Sequence, residues 1–548
     1  MKWCKKLRRK LKSPKAHTKS ANMTSKLLEV PAEILACIAD DLDIEDYGNL
    51  RLANRQVHDY TFPYFAKKFF DRRKFYRGHL SLRTLLSISE SRLGPFLETV
   101  ILSTELLESS PPTDAPNVSM EACYRAYAEQ SSMLACGWDR DTLIDAFRNL
   151  PNLKSVGVES FDDSEIWDPE DGHQSIIDGG YGLKTVLRSL GYEDGRPPRQ
   201  PSSESQCVTA VQTLLGAVAK SGARPKGFSV TGSANGSYMG GHTWGVDDDA
   251  FVIPTFLEQT LVPVIEELEE LILEVNNRIL YPNPSDPATC RTCHLRRFLG
   301  LPKKLKRLRI AHLTGHMTSF DSPEERGQFW QWLGWSPKGK GNALPNDDES
   351  ESDDEENRQP QWERTPTNAA NTLLSPPPIS LPHLQELYLD SQDILPANLT
   401  RLLNKVSPTL VRLNLCDLNL RYRAVRMDDS EDEVDRVVAE VNRWIELVGR
   451  IAAMPIDELR EVTFVGFGGL GAWHLNKFAD EIDATPDSVH FKVLKIVGDN
   501  SYNGQAEFSY AGSDVRGALR QLEADLRAAL RDGRHVFVSE PPKRRNSF

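Results

Sequence analysis

The sequence predicts an α/β protein in which a few N-terminal helices precede an irregular α/β solenoid. Three observations predict it. A short pattern (apolar, two variable, apolar, one variable, apolar) returns eight times from Leu97 onward. Amphipathic helical stretches lie between several of its copies. A chain of 548 residues also exceeds one ordinary compact core, which favours several domains or an elongated array.

The copies read LETVIL from Leu97, LKSVGV from Leu153, LEELIL from Leu268 and LKRLRI from Leu305. They continue as LQELYL from Leu384, LVRLNL from Leu410, LREVTF from Leu459 and FKVLKI from Phe491. GFSV at 227–230 reads as a truncated copy. The last two apolar positions alternate, which places both on one face of a short strand. The position between them is polar in most copies and suits a surface facing solvent. Residues 434–452 carry Val437, Val441, Trp444, Ile445, Val448 and Ile451 at helical spacing. Residues 514–532 carry Val515, Leu519, Leu522, Leu526 and Leu530, with Ser513 as N-cap and Gly533 as stop. VTAVQTLLGAVAKSG at 208–222 predicts a further helix ahead of GFSV.

The copy from Leu268 extends to LEELILEVN and so matches LxxLxLxxN through Asn276. On these residues the pattern resembles a leucine-rich repeat, whose Asn side chain satisfies backbone groups of the turn between repeats. Other copies depart there, with Gln392, Leu313 and Leu418. Spacing departs too, from 26 residues (384 to 410) to 115 (153 to 268), where a regular repeat runs roughly 20 to 29. The resemblance therefore implies an irregular, loop-inserted leucine-rich-repeat-like domain. A doubly wound sheet is the alternative pattern.

Composition excludes several classes. Hydrophobic content of 39% and charged content of 26% are those of a soluble globular protein. No run of eighteen apolar residues occurs, so no membrane partner is expected. The first twenty residues hold nine Lys or Arg without an apolar core, so no secretory signal is expected. Eight scattered cysteines do not make a disulfide framework, and a cytoplasmic or nuclear setting fits them.

The net charge of −12 is unevenly spread: KKLRRKLKSPK near the N-terminus and PPKRRNSF at the C-terminus are basic, whereas DDESESDDEE at 347–356 and DDSEDEVD at 428–435 are acidic. An acidic chain lacks the extended basic face that nucleic acid requires. The basic tail reads either as a nuclear-import signal or as a solvated disordered segment. Ser350, Ser352 and Ser430 each precede an acid by three residues, a weak kinase-site pattern.

Loop composition marks 109–118, 192–206 and 336–380. The expected layout is a basic tail at 1–24, a helical module at 25–75, a repeat domain at 76–335, an acidic and Pro-rich insertion at 336–380, the rest of the repeats at 381–540 and a basic tail at 541–548.

The helical module opens with VPAEILACIADDL at 30–42. Pro31 suits the first position of a helix, where its missing N–H would be unpaired anyway. Ile34, Ile38 and Leu42 then recur every four residues. Asp43 suits an N-cap for a second helix carrying Glu45 and Asp46 in its first turn, then Tyr47, Leu50 and Leu52, followed by Asn54, Arg55 and Val57. A unit this small buries little core of its own, so part of its apolar surface is expected to meet something else.

The run VPAEILACIADDLDIEDYGNLRLANRQVHD resembles an F-box. The family positions fall on Val30, Pro31, Glu33, Ile34, Ile38, Leu42, Asp46, Leu50, Asn54 and Arg55, with Val30 and Tyr47 standing where the family usually has Leu. The segment SLRTLLSISESRLGPFLETVIL at 81–102 is similar to the one that joins F-box and repeats in many fungal members. The resemblance implies that Val30, Pro31, Glu33, Ile34, Ile38, Leu42, Leu50 and Arg55 dock on the Skp adaptor of a cullin-RING ubiquitin ligase core, while the repeats hold an unidentified protein substrate. Physically this is helix-in-groove recognition.

Three motifs point toward chemistry. GFGGLG, Gly466 to Gly471, satisfies GxGxxG between a strand-like and a helix-like stretch. The acid Asp499 lies 31 residues past Gly468, where about 20 is expected, so a Gly-rich turn is the favoured reading over a nucleotide-dependent enzyme. Cys290, Cys293, His312 and His316 have zinc-ligand types and end spacings, but their 18-residue middle is occupied by a repeat strand, so a loop is favoured. His242 lies near Asp247, Asp248 and Asp249 in a Gly-rich loop, read as solvated. No catalytic set, cofactor or metal is expected. The expected function is a non-enzymatic substrate adaptor, with a repeat scaffold outside any ligase as the first alternative.

Overall fold

A computed structural model describes residues 30–107, 118–159, 180–192, 204–231, 246–275, 293–312, 328–336, 376–390, 394–416, 418, 420, 433–465, 488–493 and 506–532. The fold is α/β with mostly parallel strands. The chain divides into two units. One comprises 1–156, 161–199 and 221–223, and the other 157–160, 200–220 and 224–548. No described helix is long and apolar enough to cross a membrane.

The first unit begins with α1 (Ala32–Asp40), α2 (Ile44–Ala53) and α3 (Arg55–Phe70). Pro31 stands one residue outside α1, as its N-cap, because its ψ of 146° is extended rather than helical. Its carbonyl accepts from the N–H groups of Ile34 and Leu35. Asp43 caps α2 as expected, accepting from Asp46 N at 2.7 Å. The expected second helix is in fact two. Asn54 is extended and its side chain accepts from Gln56 N at 2.7 Å, so Arg55 and Val57 belong to α3. An Asx cap that close to a helical run starts a new helix rather than continuing the old one.

β1 (Arg72–Phe75), α4 (His79–Ser89), a 3-10 turn (Gly94–Phe96), β2 (Thr99–Ser103), α5 (Met120–Ala135), α6 (Trp138–Arg148), the start of β3 (Ser155–Glu159) and α7 (Leu183–Ser189) complete this unit. β1 pairs in parallel with β2, Arg72 opposite Thr99 and Phe75 opposite Leu102. Its sequence, RRKF, lacks the apolar repeat because Arg73 and Lys74 are themselves buried.

The second unit takes α8 (Glu204–Ser221), β4 (Gly227–Thr231), a 3-10 turn (Asp248–Phe251), α9 (Thr255–Ile265), β5 (Glu270–Val275), α10 (Cys293–Leu299), β6 (Arg307–His312) and α11 (Gln328–Gly334). It continues with β7 (Glu386–Asp390), α12 (Pro396–Val406), β8 (Arg412–Cys416), α13 (Glu433–Ala453), β9 (Glu461–Val465), β10 (Ser488–Val493), β11 (Ala506–Ala511) and α14 (Val515–Asp532). β4 to β9 neighbour one another in chain order, all parallel. The order then runs β9, β11, β10, both new pairings antiparallel. The copy expected from Phe491 therefore departs. Its strand starts at Ser488, since SVHFKV alternates as well as FKVLKI does and finds an antiparallel partner in AEFSYA. Asp514, not Ser513, caps α14, accepting from Gly517 N at 2.8 Å.

One backbone device repeats at the strand entrances. The carbonyl just ahead of one strand accepts two consecutive N–H groups at the start of the next. Lys226 O serves Glu269 and Glu270, Glu269 O serves Lys306 and Arg307, and Lys306 O serves Gln385 and Glu386. Gln385 O serves Val411 and Arg412, and Val411 O serves Arg460 and Glu461. The same bond joins copies separated by very different chain lengths. It satisfies the groups left over where a loop becomes a ladder.

One face of these strands is apolar. Phe228, Leu271, Leu308, Leu387, Leu413 and Val462 form one buried row, and Val230, Leu273, Ile310, Leu389, Leu415, Phe464 and Phe508 the next. Helices cover it. Phe298 of α10 lies 5.7 Å from Phe228, and Trp444 of α13 lies 5.7 Å from Phe464. Each such side chain contributes about 1.5–3 kcal/mol of transfer free energy.

Candidate functional site

The first candidate surface is the outer side of α1. Leu35 and Ala39 are fully buried, and Ala39 joins Tyr47, Phe65 and Phe69 in one cluster. The Tyr47 ring stands 5.2 Å from Phe65 and edge-on to Phe69 at 5.7 Å. Its hydroxyl donates to Thr61 O at 3.2 Å, so Tyr47 is a core residue with its polar end satisfied. Burial raises the Tyr47 pKa, and the Arg51 charge works against that rise. Arg51 stacks its guanidinium over Phe65 at 3.8 Å. Lys68 of α3 donates to the carbonyls of Asp40 and Leu42, fastening α3 to the end of α1.

With the inward side so held, the predicted residues fall into two groups. Val30 is half-buried, Pro31 and Glu33 are exposed, Ile34 is 49% exposed and Ile38 is half-buried. Ile34 and Ile38 lie four residues apart on α1 outside its core, and Val30 precedes the helix. Leu42 and Leu50 instead pack, half-buried, against the Tyr47 cluster. Arg55 is exposed as the first residue of α3. Sequence reasoning put Leu52 on the second helix without a role, and it is 84% exposed. It also missed Tyr60 and Tyr64, exposed one turn apart on α3, which their i, i+4 spacing signals.

The second candidate surface is the other face of the strands in the second unit. Its outermost row reads Glu270, Arg307, Glu386, Arg412 and Glu461, in register across β5 to β9. The charges alternate and pair: Arg307 with Glu270 at 3.1 Å, and Arg412 with Glu386 and, at 3.9 Å, with Glu461. The next row holds Ile272, Arg309, Tyr388, Asn414 and Thr463, all half-buried. Arg309 stacks over the Tyr388 ring at 4.3 Å and reaches Asp390 at 3.8 Å. Burial, assisted by the Asp390 charge, pushes the Tyr388 phenol above its ordinary range. Arginine stacked on tyrosine among half-buried polar groups is a composition suited to protein recognition. These are the middle positions of the copies, where apolar periodicity carries no information.

The chemical candidates stand as follows. Cys293 is buried as the first residue of α10, and His312 ends β6. Asp248 accepts from His294 N and Leu295 N at 3.1 and 2.7 Å, giving it a capping role. Asp247 likewise caps the 3-10 turn, accepting from Asp248 N. Cys290, His316, His242 and Gly466 to Gly471 lie outside the described residues, as do the serines of the acidic runs and the basic tails. Among the described residues no group of three or more His, Cys, Asp or Glu is placed to hold a metal.

No family model matches the chain, and no curated protein matches it. Among solved structures, the crystal structure of the Rad7 and Elc1 complex in yeast is similar over 82% of this chain and 86% of that one. The identity is 12% and the TM-score 0.22, too low for the likeness to decide fold or function.

Proposed function

We propose that the chain is a non-enzymatic substrate adaptor of an SCF-type cullin-RING ubiquitin ligase, with α1 to α3 as an F-box. Val30, Pro31, Glu33, Ile34 and Ile38 enter the groove of the Skp adaptor, and Leu42, Leu50 and Arg55 support and flank them. The leucine-rich-repeat-like second unit holds a protein target on its polar strand face. The observation that carries the reading is the division of labour on α1. Leu35 and Ala39 close the module's own core, while Ile34 and Ile38 of α1, and Val30 just ahead of it, keep exposed surface. Ubiquitin transfer belongs to the ligase machinery, and this chain supplies proximity and orientation.

Capture of the Skp adaptor by the full chain tests this. Pro31→Ala with Ile34→Asp is expected to abolish capture, and undiminished capture by that variant refutes the F-box. One observation favours the alternative of a scaffold outside any ligase. Phe62 of α3 packs edge-on against Phe96 at 5.8 Å under the guanidinium of Arg92, so part of the module serves its own unit. Failure of the unmodified chain to bind the adaptor selects that alternative.

A further inference from the structure

Three basic side chains of the first unit gather round one ring. Phe62 of α3 is buried, and the guanidinium of Arg92 lies over it, its carbon 3.7 Å from the ring centre. Arg51 of α2 stacks on Phe65 at 3.8 Å and stands 5.5 Å from the Phe62 centre, so both guanidiniums border that ring. His58, one turn before Phe62, sets its imidazole 6.1 Å from it. Arg92 is exposed, and Arg51 and His58 are half-buried, so the group opens on the surface. The turn that carries Arg92 is fixed. Ser91 Oγ donates to Ile88 O at 2.8 Å, Gly94 N donates to Ser91 O at 3.0 Å, and Asn152 donates to Pro95 O at 2.7 Å.

Counter-charge is scarce there. Asp59 is the one carboxylate among the described residues that pairs with either arginine. It stands 3.8 Å from Arg92, beyond hydrogen-bond reach, with both side chains more than half exposed. Glu45 and Asp46 lie in the first turn of α2, at the end opposite Arg51. Glu98 is held by Lys154 at 2.6 Å, and Glu90, which ends α4, pairs with neither arginine. Arg51 finds no hydrogen-bond acceptor among the described residues, and its Nε is sealed from solvent. Burial, and behind it the Arg51 and Arg92 charges, hold the His58 pKa below its ordinary value, with Asp59 opposing.

We propose that Arg51, Arg92 and His58 form a receptor for a phosphate monoester, the side chain of a phosphorylated serine or threonine in a partner protein. Stacking holds each guanidinium by its face. The Nη–H groups lie in its plane and stay free for an acceptor. Two such rims and an imidazole match three terminal oxygens, where a carboxylate offers two. A phosphate monoester also carries about −1.5 to −2 charge at neutral pH, suited to two arginines that Asp59 offsets only in part. Recognition of phosphorylated segments by clustered arginines is an established mode of binding. The receptor lies on α2, α3 and the turn before Gly94, away from the strand face of the second unit, and does not rest on the ligase reading.

Titration of the full chain with N-acetyl-phosphoserine amide, read at carbon-13-labelled histidine side chains, tests this. The His58 signal, assigned by its loss in His58→Gln, is expected to shift saturably. Its pKa is expected to rise in the complex, because a neighbouring anion favours the imidazolium. Arg51→Met and Arg92→Met keep their stems over the rings and are each expected to weaken binding about tenfold or more. Arg125→Met, which alters an exposed arginine of α5 paired with Glu121, is expected to leave binding unchanged. N-acetyl-glutamate amide is expected to bind more weakly. A His58 signal that does not respond in the unmodified chain overturns the receptor, and this measurement decides should an arginine variant fail to fold. Binding untouched by both arginine substitutions marks an adventitious ion only, and equal binding of the glutamate probe marks a carboxylate site; either overturns the proposal. Inorganic phosphate binding more tightly than the phosphoserine probe assigns the site to free phosphate and overturns the protein partner.

Discussion

Arg77 and Asp139 meet at 2.9 Å with both side chains almost wholly removed from solvent. Arg77 precedes α4, and Asp139 lies in the first turn of α6, so the pair ties the two helices together. Gln130 of α5 extends the tie, donating to Arg77 O at 2.7 Å and accepting from Leu107 N at 2.8 Å. Deleting one partner of a buried pair leaves the other charge uncompensated, which costs about 3–5 kcal/mol, whereas replacing both by apolar groups is often near neutral. Arg77→Met is thus expected to lower stability by about that amount in urea denaturation, and Arg77→Met with Asp139→Leu to recover most of it. A double variant no more stable than the single one would show that the pair does not account for the loss.

Neighbouring residues on α1 separate stability from docking. Leu35 is fully buried, so Leu35→Ala is expected to cost about 2–5 kcal/mol. Ile34 is half exposed, and Ile34→Asp places an acid in the first turn of α1, where the helix dipole favours it. That substitution is expected to stay within about 0.5 kcal/mol in stability yet to lose adaptor capture. Thermal melting beside a binding assay distinguishes the two. A large stability loss in Ile34→Asp would place Ile34 in the module's own core instead.

The strands from β2 to β9 were legible because each copy places two alternating apolar residues on the helix-covered face, as with Leu271 and Leu273 of β5. Two kinds of strand were not. β1 hides behind buried Arg73 and Lys74, whose polarity reads as surface when partners are unseen. β11 depends on antiparallel pairing with β9 and β10, a non-local choice that no local pattern reveals. On α1 the stripe was legible, but which half of it the fold consumes was not, since Ile34 and Leu35 are equally apolar. The polar strand face was still less so. Arg309, Tyr388 and Asp390 come together only through the register of β6 and β7.

The outer row of that face predicts a salt-dependent stability. Arg412 stands between Glu386 and Glu461, all three partly exposed. Arg412→Glu puts three acids side by side across β7, β8 and β9, and cross-strand like charges cost about 0.2–1 kcal/mol each. The expected loss is about 1–2 kcal/mol at low salt, shrinking at about 1 M salt because such pairs are screened. A loss indifferent to salt would point to packing of the Arg412 stem rather than to its charge.

Glu267 predicts how the second unit responds to acid. Hydrogen bonds from Lys304, at 2.8 Å, and from Lys226, at 3.0 Å, hold its pKa down to about 2 from 4.5. Glu269 is lowered in the same way, chiefly by Lys306. A carboxylate with a lowered folded pKa stabilises the fold above its ordinary value, and that contribution disappears as pH falls toward the folded one. Stability is therefore expected to decline between about pH 4.5 and pH 2, partly through Glu267. Glu267→Gln has no proton to take up, so it is expected to be less stable than the unmodified chain at neutral pH and to lose less on acidification. Lys304→Met, which removes the largest cause of the shift, is expected to behave in the same direction. Urea midpoints at neutral pH and near pH 3 give the comparison. An equal drop in variant and unmodified chain would show that the lysines do not hold the Glu267 carboxylate ionised in the folded state.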